Sequence, residues 1–167
     1  MFADSGAADS GAADSHSNGS RSGVTLTVRA AGSGDANRVF ALLKQLGTDY
    51  APDASAFDST YQGIIDDDSR SSILLVADSS AGAVLGYALS TISPLLYING
   101  SSAQLQELVV DDDHRGQGVG TALVEATEAA CRARQVRQLT VPSRRSANFY
   151  ERIGYTSTAD FLKRTFD

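Results

Sequence analysis

A mixed α/β domain is predicted by three features of the sequence. Short runs alternate β-branched and polar residues, as in VTLTVRAA (24–31). Apolar residues recur at helical spacing in GSGDANRVFALLKQLG (32–47) and again after residue 118. A glycine-rich turn, HRGQGVG (114–120), separates a strand pattern from the longest helical one. Together these give the order β-α-α-β-β-β-α-β-α-β, in which meander strands lead into a β-α-β crossover. That order implies a mixed sheet with helices on both faces.

The alternation of residues 24–31 marks a half-buried strand. In the next helix, Val39, Leu42, Leu43 and Leu46 form the apolar stripe, Asp35 is the cap or first-turn acid, and Gly47 is the stop. SAFDSTYQGIIDD (55–67) is a weaker second helix, with Phe57, Tyr61, Ile64 and Ile65 on one face. SILLVAD (72–78) and AVLGYALSTI (83–92) are strands joined by the hairpin signal SSAG, and AQLQELVV (103–110) is a further strand. A helix of about four turns ends near Arg134, with Val119, Leu123, Ala126, Thr127 and Ala130 at helical spacing. VRQLTV (136–141) is a short strand ended by Pro142, SANFYERIG (146–154) a short helix closed by Gly154, and ADFLKRTF (159–166) a last alternating strand.

Residues 1–23 repeat ADSGA and hold almost nothing apolar after Phe2, so they cannot offset the entropy of ordering and are expected to be a disordered tail. His16 lies in that tail. The domain is expected to span 24–167. With 167 residues, 42% hydrophobic and 20% charged, the chain suits one globular core. No apolar run approaches the roughly 20 residues of a membrane span, and no basic-then-apolar leader opens the sequence. A cytoplasmic protein without membrane contact is expected. Cys131 is the only cysteine and His16 and His114 the only histidines, so neither a disulfide nor a metal site is expected. A formal net charge of -6 disfavours tracking along nucleic acid. Aspartate outnumbers glutamate and arginine outnumbers lysine, a bias that fits GC-rich coding or a high-salt habitat.

Glycines at 116, 118 and 120 let backbone N–H groups converge on an anion at the positive end of the long helix. The turn is not a P-loop, because no lysine comes after the glycines. Nor is it a dinucleotide fingerprint: Thr121 or Leu123 stands where the last small residue would be needed. Arg115-x-x-Gly118-x-Gly120, preceded by Glu107-Leu-Val-Val and followed by ANFYERIGY, resembles the GCN5-related N-acetyltransferases. The resemblance runs from about Val24 to Phe166 and implies the acyl-CoA N-acyltransferase fold, with a mostly antiparallel twisted central sheet.

That resemblance also implies roles. Arg115, Gly116, Gln117, Gly118, Val119, Gly120 and Thr121 would hold the pyrophosphate of acetyl-CoA, the co-substrate. The backbone of Leu108, Val109 and Val110, bent by a bulge, would pair with the pantetheine arm and supply an oxyanion donor near Val109. Tyr150 would protonate the departing thiolate. Adjacent residues on a helix point about 100° apart, so Phe149 in the core leaves Tyr150 able to look elsewhere. Glu107 or a water would take the proton of the attacking amine. Arg144 and Arg145 are either plain surface charges or partners of the 3′-phosphate, while Cys131 reads as a small core residue.

Asp112 stands where the family often has proline, Ser143 where it has asparagine, and Ser146 where it has alanine. Asp111, Asp112 and Asp113 are expected to be solvated. The acceptor is an amine on a small molecule or peptide, its pocket expected around Tyr50 to Ile65 and SPLLYING (93–100), where Asp53, Asp58 and Asp66 to Asp68 would attract a cation. A homodimer is compatible with this reading. A non-catalytic acyl-CoA-binding module is the alternative; it would keep the glycine turn and dispense with Tyr150 and Glu107. A purely structural interaction domain would dispense with CoA binding as well.

Overall fold

A computed structural model describes residues 25–47, 51–143, 146–160 and 162–165. The N-terminal segment with His16, and also Tyr50, Arg144 and Arg145, lie outside the described residues. Five strands form one sheet in the order β1-β2-β3-β4-β5. β1 (Leu26–Ala30), β2 (Ser72–Ser79), β3 (Val84–Leu95) and β4 (Gly100–Val110) pair antiparallel, and β5 (Gln138–Thr140) joins β4 in parallel. The parallel pair needs a crossover, which α3 (Val119–Ala133) supplies. Helices α1 (Ala36–Leu43) and α2 (Ala54–Ile65) cover one face, while α3 and α4 (Ala147–Arg152) cover the other.

Alternation along the strands assigns the faces. Leu74, Val76, Tyr87 and Val109 turn toward Val39, Leu42 and Tyr61 of the first two helices. Ala77, Ala88 and Leu105 turn toward Val119, Leu123 and Val124 of α3, and a register shift between β2 and β3 that leaves Leu85 unpaired puts Leu85 on that side too. Both helical stripes have the predicted spacing, and Cys131 is buried at the end of α3 beside Ile73 and Ala103. Tyr61 anchors α2 by donating its hydroxyl to the Gly32 carbonyl at 2.7 Å.

Asp35 stands at the N-cap position of α1 and is the acid of the 3-10 turn Ser33–Asp35 that leads into it, as expected. Its side chain makes no cap hydrogen bond to α1 itself, and its carboxylate accepts from Gly32 N at 2.8 Å and pairs with Arg29 at 2.7 Å. Arg29 also binds Asp78 at 2.7 Å, so one guanidinium ties β1 to both the first turn and the end of β2. β3 runs three residues past the predicted end, because Ser93, Pro94 and Leu95 keep pairing with Ser102, Ser101 and Gly100. The last predicted strand is absent among the described residues: Ala159, Asp160 and residues 162–165 make no ladder, and Leu162 is 90% exposed. A three-residue edge strand offers too short a ladder to hold an eight-residue partner.

Gly86, within β3, is required by close approach. A Cβ there would lie 2.6 Å from the Val109 carbonyl oxygen and 3.2 Å from Leu123. Neither neighbour can swing aside, since one is backbone and the other fills the core under α3. Gly86→Ala is therefore expected to cost about 1–3 kcal/mol through overpacking, read as a lower urea midpoint at unchanged slope. An unchanged midpoint would show that the β3–β4 pair yields without strain.

Candidate active site

The candidate site is built around the C-terminal half of β4. A bulge shifts the register there: Leu89 faces Glu107 but Ser90 faces Leu105, so Gln106 has no partner of its own. The bulge puts Glu107 on the same face as Tyr87 and Val109, beneath α1 and α2. The Tyr87 hydroxyl donates to Glu107 Oε2 at 2.7 Å. Burial, and after it the charge and hydrogen bond of Glu107, holds the Tyr87 phenol far above its ordinary value, so it keeps its proton. Glu107 Oε1 has no hydrogen-bond partner among the described residues.

The edge of β4 away from β3 is open over the same stretch. β5 pairs only with Ser102, Ala103 and Gln104. Asp111 N donates to the Leu85 carbonyl at 2.8 Å, so by the antiparallel alternation the amide of Val109 also faces β3. The amides of Leu108 and Val110 face the open side. An oxyanion donor near Val109, as the resemblance implies, would therefore be the amide of Leu108 or Val110, and Val109 itself is a core side chain.

The glycine turn continues from this edge. Gly116 and Gly118 have φ of 73° and 89°, a region that favours glycine, and nothing lies within 4 Å of a Cβ built at either. Gly118 is the N-cap of α3 with no side-chain cap, so the helix starts with uncapped amides at Val119, Gly120 and Thr121. The Val119 side chain is buried, and only its backbone is available there. Gln117 is exposed and donates to the Asp113 carbonyl at 3.1 Å. Arg115 is exposed, pairs with Asp112 at 2.5 Å and donates through Nε to the Val110 carbonyl at 3.3 Å.

The aspartates are not all solvated. Asp111 is only 8% exposed; it binds Arg38 of α1, and its other oxygen accepts from Asp113 N at 3.1 Å. Arg38 also donates to the Val84 carbonyl at 2.9 Å, and Gln45 accepts from Asp112 N at 3.0 Å. The first helix thus holds the entrance of the turn in place. The hydrogen bond from Arg38 keeps the Asp111 carboxyl below its ordinary value, against a smaller opposing effect of burial.

Both aromatics of α4 pack on the α3-side core, so Phe149 is placed as expected but Tyr150 does not look away from it. Tyr150 is the buried one, 8% exposed among the α3-side core, and Phe149 is half-buried. The Phe149 ring and Val110 flank Gly120, each 3.6 Å from a Cβ placed there. The helix is only six residues long, and the Tyr150 ring meets those of Phe149 and Tyr155 edge-on at 5.0 and 5.6 Å. Burial pushes the Tyr150 phenol up to about 12, and its hydroxyl has no hydrogen-bond partner among the described residues.

A cavity of about 250 Å³ lies between α1, α2 and the sheet, with Tyr87, Leu89 and Glu107 lining it. Of the acids expected to draw a cation, only Asp53 reaches it. Asp66 accepts from Gln62 at 2.9 Å, and Asp67 closes a turn with Ser69 and Ser71. SPLLYING makes the hairpin turn at the far end of β3 and β4, with Leu96 98% exposed, and does not line the cavity.

A five-stranded mixed sheet with an open β4 edge and a glycine turn into α3 defines an acyl-CoA N-acyltransferase fold. The sequence profile of the Acetyltransferase (GNAT) domain matches residues 70–157, just over half the chain, and the chain belongs to that family. No curated protein sequence matches it. Among solved structures, it is similar to glucosamine-6-phosphate N-acetyltransferase from Arabidopsis thaliana. The identity is 21% and the TM-score 0.74, over 86% of this chain and 99% of that one. Ribosomal-protein-alanine N-acetyltransferase from Brucella melitensis biovar Abortus 2308 is 20% identical at a TM-score of 0.68, over 86% and 100%. A transcriptional regulator from Bacillus halodurans C-125 is 22% identical at 0.74, over 85% and 100%. At these identities the likeness concerns the fold.

Because Asp111 is held below its ordinary carboxyl value, its contribution to stability is present above that value and is lost as pH falls through the lowered one. Asp111→Asn is expected to cost about 1–2 kcal/mol at neutral pH, the range of a partly buried ion pair. The gap from the parent should narrow as pH falls below about 4, toward full protonation of the carboxyl. Urea unfolding at pH 7 and at stepped acidic pH measures it. A gap that stayed constant with pH would remove the ion pair as its cause.

Proposed function

We propose that the chain is an acetyl-CoA-dependent N-acetyltransferase, moving acetyl to an amine by direct attack in a ternary complex. One juxtaposition carries the reading: an unpaired β4 edge runs directly into an open glycine turn, while Glu107 of the same strand reaches a cavity on the helical face. The residues fit the co-substrate. The uncapped amides from Val119 to Thr121, with the positive end of α3 behind them, suit a pyrophosphate. Gly116 and Gly118 put no side chain in its way, Arg115 is free to exchange Asp112 for it, and Gln117 lies alongside. Acetyl-CoA supplies the activated acetyl thioester.

An ammonium of ordinary pKa, about 10.4, must lose a proton before it can attack. Glu107 takes that proton on Oε1, directly or through water, while Tyr87 holds Oε2. The outward amide of Leu108 or Val110 donates to the carbonyl oxygen as charge develops on it. As the N–C bond forms and the C–S bond breaks, Tyr150 gives its proton to the sulfur. A phenol raised to about 12 stays protonated across the physiological range, so it adds no alkaline limb there. Retention of both Glu107 and Tyr150 favours the enzyme over a non-catalytic acyl-CoA-binding module.

Calorimetry is expected to show micromolar binding of acetyl-CoA, and absence of binding would overturn the reading. Tyr150→Phe is expected to lower kcat by about a hundredfold, the scale of one acid-base group, with the CoA Kd nearly unchanged. An unchanged kcat would take the tyrosine out of the mechanism.

A further inference from the structure

The cavity beneath α1 and α2 has a composition that selects among amines. Its walls are apolar: Val39, Leu43, Phe57, Ile64, Leu74 and Leu89. Its polar groups are few and mostly engaged. The Tyr61 hydroxyl is given to the Gly32 carbonyl, the Tyr87 hydroxyl to Glu107, and one oxygen of Asp53 to Ala56 N at 2.8 Å. A ligand is left with a free carboxylate oxygen on Glu107, carboxylate capacity on Asp53, and the Thr60 hydroxyl. No cationic side chain among the described residues lines the space.

From this we infer that the acceptor is a primary amine carried on an uncharged apolar body, of about one ring and a short arm. The inference rests on the acetyltransferase reading and names the substrate class of that same site. Three physical arguments support it. An ammonium brings only donors, and the unengaged groups of the cavity are almost all acceptors. A polyhydroxylated amine would leave several hydroxyls buried against hydrocarbon without partners, each at a desolvation cost. A carboxylate or phosphate on the acceptor would meet Glu107 and Asp53 with no cation to offset them.

Size points the same way. A dry apolar cavity of about 150 Å³ takes a benzene ring, so about 250 Å³ accommodates the ring and a short amine-bearing chain. Asp53, Ala56 and Thr60 are exposed and form the rim, whereas Tyr87 and Glu107 lie on the sheet below. The acidic rim favours entry of a cation, and the apolar walls hold the hydrocarbon attached to it.

The test uses the full chain and two independent readouts. In a thiol-release assay with acetyl-CoA, kcat/KM for phenethylamine is expected to exceed that for glucosamine, glucosamine 6-phosphate and lysine by about a hundredfold, the order set by burying one ring. Ala56→Trp, at an exposed rim position, is expected to raise the phenethylamine KM about tenfold with the CoA Kd unchanged. Titration of phenethylamine without CoA, monitored by protein NMR, tests the cavity apart from catalysis, with shifts expected at residues lining it. Equal or better turnover of the polar amines, no effect of Ala56→Trp, or no binding of phenethylamine would each overturn the assignment. Loss of CoA binding with phenethylamine still bound would instead overturn the acetyltransferase reading and leave the amine cavity standing.

Discussion

The site depends on one strand losing one of its two neighbours. β4 is paired on both sides only from Ser102 to Gln104; beyond that, β3 alone accompanies it to Val110. A backbone that is half-buried and paired on one side only keeps donors and acceptors that need partners. Arg115 takes the Val110 carbonyl, and the amides of Leu108 and Val110 remain directed at the open edge. An extended ligand with its own amides is the complement of such an edge, in the manner of a strand added to a sheet. The separation of β4 from β5 needs no special device: β5 is three residues long, and Pro142 stands two residues beyond its end.

The two faces of β4 then differ in kind. On the α3 side, Leu105 and its neighbours are closed under Val119, Leu123 and Val124, and Gly86 lets the strands and helix approach without a Cβ between them. On the α1 and α2 side the packing is incomplete, and a carboxylate and a phenol sit where hydrocarbon would otherwise fill the space. The bulge at Gln106 links these facts, because without the extra residue Glu107 would share the face of Leu105 and point into the closed core.

Much of this is legible in the sequence, and the misses have a common origin. The α3 helix is visible because Val119, Leu123 and Thr127 recur at its own period, and the glycine turn because residue types at 116 and 118 report local φ. Glu107 stands out by its position in a motif, but its pairing with Tyr87 does not, since that contact depends on register between two strands. Asp111 reads as solvated in the sequence because its partner, Arg38, lies 73 residues earlier. The burial of Tyr150 beside Phe149 escapes the sequence for a related reason: adjacent side chains on a helix point about 100° apart, but only tertiary contacts fix how deeply each one sits. The last strand is not seen among the described residues because alternation in ADFLKRTF describes a side-chain pattern and says nothing of whether a sheet edge is there to receive it.

The aspartates beside the anion turn can now be placed. Three negative charges next to a turn proposed to hold a pyrophosphate would oppose binding if they stood free. Asp111 is committed to Arg38 and is turned into the protein, where its second oxygen closes the turn on Asp113 N. Asp112 is paired with Arg115, so the same arginine that neutralises it is the cation nearest the glycines. That pair is exposed at both ends, and exposed ion pairs are weak enough to exchange for a doubly charged ligand. The first aspartate therefore acts as a strut between α1 and the turn, and the second keeps Arg115 close to the place where an anion would need it.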